Sequence, residues 1–134
     1  FGFKCLSGNL PKTDMGWEIA PEGLSYFLRR LASNYAPDLP IYVTENGMAN
    51  ADRLLEDRVD DAARTAYFAD HLAEICSLTS EGVPVAGYYA WSLLDNFEWA
   101  FGYDKRFGLV HVDFKTQKRT PKSSYYYWQA ALNL

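Results

Sequence analysis

Five residues in this 134-residue chain stand out by type and placement as candidates for chemistry: Glu45, Trp91, Glu98, Trp99 and Phe107. Glu45 sits in IYVTENGMAN (41–50), where an apolar run of β-formers stops on a carboxylate and is followed at once by Asn46-Gly47. Asn-Gly is a hairpin signal, so Glu45 could be an ordinary turn neighbour. It could also be held at a strand end for nucleophilic or acid/base work. DNFEW (95–99) places a second carboxylate, Glu98, directly beside an indole, and Trp91 and Phe107 flank it in an aromatic-rich stretch.

The elements around these residues decide between the two readings of Glu45. Pro21 and Glu22 open a helix that carries Leu24, Phe27, Leu28 and Leu31 at helical spacing and ends near Tyr35, before Pro37 and Pro40. Residues 41–44 read as a short strand covered on both faces, and 46–57 as a polar loop. A second helix is expected from about Val59 to Ser80, with Cys76 on its apolar side as a buried free thiol and Gly82 closing it. The acidic run Glu56, Asp57, Asp60 and Asp61 reads as a solvated helix start. VPVAGYYAW (83–91) is a further strand, with Gly87 marking a close backbone approach. Two strands joined through a helix must run parallel, which removes the hairpin reading. An aromatic loop (92–108), a short strand in LVHVDF, and a terminal helix opened by Pro121 complete the chain. Tyr125, Tyr126, Tyr127 and Trp128 on that helix are expected to pack it down, and His111 to be a packed structural histidine.

A pair of parallel strands leaves edges and a face uncovered. The natural home of such a piece is the last quarter of a (β/α)8 barrel, with Glu45 and Trp91 at the C-terminal strand ends where barrel active sites lie. The net charge of −4 gives no electrostatic reason for a nucleic-acid or membrane partner, and no apolar run approaches the ~20 residues of a membrane helix. Two cysteines are too few for a disulfide scaffold and are compatible with a reducing compartment such as the cytoplasm. The chain starts at Phe1 without a signal-peptide pattern and reads as a piece of something longer.

TENG after a strand, then GYYAWSLLDNFEW and GYDKRFGLVHVDF, together with MGWEIAPEGL and RTPKSSY, closely resemble the family 1 glycoside hydrolases, the β-glucosidase family. The resemblance implies an α/β fold, the C-terminal part of a TIM (β/α)8 barrel comprising strands 7 and 8 with their helices. Within it, 1–20 is loop, 21–82 carries helix, strand 7 and helix 7, and 83–134 carries strand 8, the active-site loop and the last helix. It implies that Glu45 is the catalytic nucleophile and Trp91 the sugar platform. Glu98 and Trp99 would bind sugar hydroxyls, Phe107 would line the pocket, and a cis peptide would follow Trp91. Metal and cofactor are not expected. The substrate would be a β-glucoside or cello-oligosaccharide.

One departure matters. The family's acid/base glutamate lies in an Asn-Glu-Pro motif, which this sequence lacks. A complementary N-terminal chain or segment would have to supply it. Of the internal carboxylates Asp95, Glu98 and Asp104, none sits at the neighbouring strand end with a reason for a raised pKa. Two other readings remain: a non-catalytic fragment, or a sugar-binding half-barrel.

Overall fold

The computed structural model describes residues 8–35 and 37–133. Helix α1 (Pro21–Asn34) precedes strand β1 (Ile41–Asn46), helix α2 (Ala62–Ser80) and strand β2 (Val85–Ala90). A 3₁₀ turn at Trp99–Phe101, strands β3 (Val110–Val112) and β4 (Arg119–Pro121), and helix α3 (Ser123–Ala131) follow. β1 and β2 pair in parallel across the α2 crossover. One register irregularity on each side of the pair leaves both strands ending level, with Asn46 opposite Ala90.

The helices cover one face of this sheet. Leu28 of α1, Val43 of β1 and Leu78 of α2 form one core cluster, flanked by Ile41, Ile75 and Val85. Met48, Tyr67, Phe68 and Leu109 form the other, onto which α3 docks through Tyr125, Tyr127 and Trp128. Tyr126 alone of that aromatic run points outward. The other sheet face is bare among the described residues, so the expectation of strands covered on both faces fails here: Tyr42 and Tyr89 stand 52% and 57% exposed. On α1, Phe27 and Leu31 of the predicted stripe are exposed while Leu28 is buried.

Several local expectations need correction. α2 starts at Ala62 rather than Val59, because Val59 bridges to Lys122 instead. Its buried stripe runs through Arg64, Tyr67, Phe68, His71 and Leu78, and Cys76 falls off that stripe and is exposed. Gly82 does close α2, with φ of 87° and its N–H donating to Thr79. A Cβ at Gly87 would meet the Tyr42 ring at 2.7 Å, the close approach expected of it. Pro121 ends β4 rather than opening α3, since residues 119–121 pair antiparallel with β3. His111 is buried in β3.

The largest correction concerns the acidic run. Glu56, Asp57 and Asp60 are exposed, but Asp61 is buried. Asp61 pairs with Arg64 at 2.5 Å and accepts from the Ser124 N–H and hydroxyl at 2.8 and 2.6 Å, capping α3 from the start of α2. Arg64 also pairs with Asp52 (2.8 Å), Asp52 with Lys122 (2.5 Å), Lys122 with Asp95 (2.8 Å) and Asp95 with Arg106 (2.6 Å). Three acids thus neutralise three bases, and all but Arg106 have side chains sealed from water.

Removing one member of such a chain leaves uncompensated buried charge. Lys122→Met in the intact protein should cost about 3–5 kcal/mol in urea unfolding, by stranding Asp52 and Asp95. Lys118→Met, which breaks only the exposed pair with Asp57, is the control and should cost about 0–1 kcal/mol.

Acid should act through the same network. Burial opposes ionisation of Asp95, but Lys122 and Arg106 outweigh it and hold the carboxyl below the ordinary value of 3.8. Because the folded-state value is the lower one, this stabilisation is present above pH 3.8 and is lost as the pH falls through and below it. Unfolding free energy followed into the acid range should therefore fall less steeply in Asp95→Asn than in the unsubstituted protein.

Candidate active site

Parallel pairing brings the C-terminal ends of β1 and β2 to one edge of the sheet, and the site is built on that edge. Trp91 N–H donates to the Asn46 carbonyl at 2.8 Å, which locks the two strand ends together. Gly47 is required by this approach and not by a turn: a Cβ there would lie 1.8 Å from the Trp91 carbonyl oxygen. Its φ is not positive, unlike those of Gly16, Gly82 and Gly102. The Trp91–Ser92 peptide is cis.

Beyond Trp91 the chain is stitched back onto itself. Ser92 N–H donates to Phe107 O, and Leu109 N–H to Ser92 O. Asp95 closes the base of this loop by accepting from Gly108 N–H at 2.9 Å and Val112 N–H at 3.3 Å, besides its two cations. A Cβ at Gly108 would sit 2.1 Å from the Asp95 nitrogen, so the loop closes only over glycine.

Above this base, Glu98 N–H donates to Gly102 O at 2.6 Å and Phe101 N–H to Glu98 O at 2.8 Å. The resulting tight turn holds Trp99 at φ 41° with its side chain 83% exposed. A left-handed backbone at tryptophan costs ~1–2 kcal/mol and needs a reason; presenting a bare indole beside Glu98 is one.

Glu45, Trp91, Glu98, Trp99 and Phe107 all line a single cleft of about 370 Å³. Glu45 is exposed at its wall and makes no hydrogen bond or ion pair among the described residues. Glu98 is half-buried, and the cations that could have neutralised it are engaged elsewhere, Lys105 with Asp14 and Arg106 with Asp95. Phe107 is buried, and its ring packs 6.1 Å from that of Trp17. Asp95 is locked in its ion pairs, and Asp104 is not part of the cleft wall. No cluster of three His, Cys, Asp or Glu placed to hold a metal ion occurs among the described residues.

Three further cleft residues escaped the sequence reading: Trp17, Asn46 in its side-chain role, and Tyr67. Trp17 is positioned by Thr13, whose hydroxyl accepts from the Met15 and Trp17 N–H groups at 3.2 and 3.3 Å. That turn docks on the loop after β1 through Asp14 N–H to Ala49 O. A threonine four residues before a lone tryptophan was the available signal. Tyr67 counted only as helix core, yet it lines the cleft together with Asn46.

The sequence profile described as glycosyl hydrolase family 1 matches residues 4–133. The chain belongs to this family. It is 51% identical over 121 residues to beta-glucosidase A of Thermotoga maritima, covering 90% of this chain and 27% of that protein. It is 45% identical over 128 residues to a 6-phospho-beta-galactosidase of Streptococcus equi subsp. zooepidemicus, covering 96% and 27%. The crystal structure of the family 1 beta-glucosidase from Exiguobacterium antarcticum B7 superposes with a TM-score of 0.94 at 48% identity, over 97% of this chain and 29% of that one. The fold is therefore part of a (β/α)8 barrel, and the chain spans 27–29% of the length of these family 1 relatives.

The Gly47 contact yields a test that fold membership alone would not suggest. Gly47→Ala in the intact protein should cost about 1–3 kcal/mol in thermal or urea unfolding, because two strand ends must separate to admit one methyl group. Gly82→Ala, where nothing lies within 4 Å but φ is 87°, should destabilise through strain alone and leave the cleft unaltered.

Proposed function

We propose that the protein carrying this chain is a retaining β-glucosidase that hydrolyses O-glycosidic bonds through a covalent glycosyl-enzyme on Glu45. The observation that carries this reading is convergence: the strand-end carboxylate, a second carboxylate and three indoles share one cleft. In the reaction, the Glu45 carboxylate attacks the anomeric carbon while the bond to the leaving oxygen breaks. A second carboxyl group, about 5–5.5 Å away in retaining enzymes, protonates that oxygen. The same group then deprotonates a water that displaces Glu45 and frees the sugar.

That second group comes from chain outside these residues, in a complementary N-terminal segment or chain. Asp95 is tied to Lys122 and Arg106, and Glu98 is assigned to the sugar hydroxyls with Trp99. Trp91 is the platform for the sugar ring and Phe107 part of the pocket wall. The 134-residue chain alone is expected to be inactive on an aryl β-glucoside and to gain activity when the complementary part is added.

Glu98 also argues for an unphosphorylated substrate: a β-glucoside or cello-oligosaccharide, with β-galactosides or β-fucosides tolerated. A 6-phosphate would bring negative charge against an acid that no ion pair neutralises, and like-charge juxtaposition costs several kcal/mol. The experiment is Glu45→Gln in the intact protein. Turnover of an aryl β-glucoside should vanish while the melting temperature holds, and normal turnover would refute the assignment. In the unsubstituted protein the 6-phosphorylated glucoside should be the far poorer substrate. The opposite preference would remove the role given to Glu98.

A further inference from the structure

Strand alternation poses a problem for Glu45. Ile41 and Val43 face the helix layer, Val43 packing with Leu28 and Leu78, while Tyr42 between them is exposed on the cleft side. A regular strand would return Glu45 to the helix layer beside Val43. The register shows why it does not: Val43 pairs with Tyr88 and Asn46 with Ala90, so three steps on β1 match two on β2. The extra residue is a β-bulge, a device that re-aims a side chain at the expense of ladder hydrogen bonds. Thr44 and Glu45 are accordingly both exposed, and Asn46 turns back into the protein, half-buried.

A bulge that has lost ladder bonds must be pinned by something else. Here the Tyr88 hydroxyl donates to Asn46 Oδ1 at 2.5 Å, and Tyr67 lines the cleft together with the same residue. Both phenols are rigidly seated. Tyr88 stacks on Trp128 at 5.8 Å, and Tyr67 stacks on His71 at 3.9 Å with Phe68 edge-on at 5.7 Å. Burial raises the pKa of each phenol, so both remain neutral. A neutral amide whose oxygen accepts suits a phenol donor. Aspartate would accept from Tyr88 too, but would set a charge beside Glu45.

We propose that Asn46 is a positioning residue for Glu45: clamped by Tyr88, its amide locks the bulge that turns the carboxylate into the cleft. The proposal rests on the reading of Glu45 as nucleophile, and its test separates the two. The intact protein, Asn46→Ala and Tyr88→Phe are each treated with 2-deoxy-2-fluoro-β-glucosyl fluoride. Glu45 displaces fluoride to form a trapped ester, followed by the mass of the Glu45 peptide, and inhibition by glucose is measured in parallel.

Labelling should slow by about 10-fold or more in both variants, the scale expected when a reacting group is misplaced. Glucose inhibition and melting temperature should be retained, because the sugar's own partners are untouched. Labelling at the unsubstituted rate in either variant would overturn the clamp, as would a joint loss of labelling, glucose binding and melting temperature. Absence of labelling at Glu45 in the unsubstituted protein would instead overturn the nucleophile reading.

Discussion

Six charged side chains, five of them sealed from water, hold together the edge of this molecule that carries the candidate site. Arg64 is the hub. Besides its two aspartates it donates to the Met48 carbonyl at 3.2 Å and the Arg106 carbonyl at 2.7 Å. Met48 lies in the loop just after β1, and Arg106 next to Phe107 in the long loop after β2. One guanidinium thus fixes both loops against α2, while Asp61 ties α2 to α3 and Lys122 ties α3 to the loop base at Asp95. A planar fork with five donors can do this, whereas an ammonium cannot reach so many acceptors at once. Buried ion pairs are poor sources of net stability. What this network supplies is geometry, since each charge has only one place where it is paired.

Around that frame, the cleft is shaped by backbone contacts that tolerate no side chain. Gly47 lets the two strand ends touch, and Gly108 lets the long loop close over Asp95. The bulge before Asn46 then points the carboxylate out of the helix layer. Trp99 is lifted by a tight turn in a backbone conformation tryptophan seldom adopts. These features are local violations of regular structure, and all of them lie at the one edge where the chemistry is proposed, as expected when strain is retained only for function.

Much of this was legible in the residues. Apolar runs and helix signals located α1, β1, α2 and β2, and the parallel crossover followed from a helix between two strands. All five predicted site residues line the same cleft. What periodicity could not show was pairing at a distance. Asp61 sits in a run of acids whose other members are solvated, and only Ser124 and Arg64, brought there by the fold, distinguish it. β4 is three residues long and charged at its start, too short to carry an alternation signal. Cys76 reads as core on a helical wheel, but the buried stripe is set by what β1, β2 and α3 press against. The role of Gly47 looked like turn chemistry because Asn-Gly so often is; the carbonyl that demands it belongs to Trp91, across the sheet.

The central claim is that Glu45 attacks the sugar rather than protonating its leaving group. Azide distinguishes these roles. In Glu45→Ala of the intact protein, the face of the anomeric carbon that the carboxylate occupied is open to a small anion. Azide should restore cleavage of an activated aryl β-glucoside and yield the α-glucosyl azide, the product of a single inversion. Recovery of the β-glucosyl azide would mean that a glycosyl-enzyme still forms elsewhere and that Glu45 is the acid/base, contradicting the account.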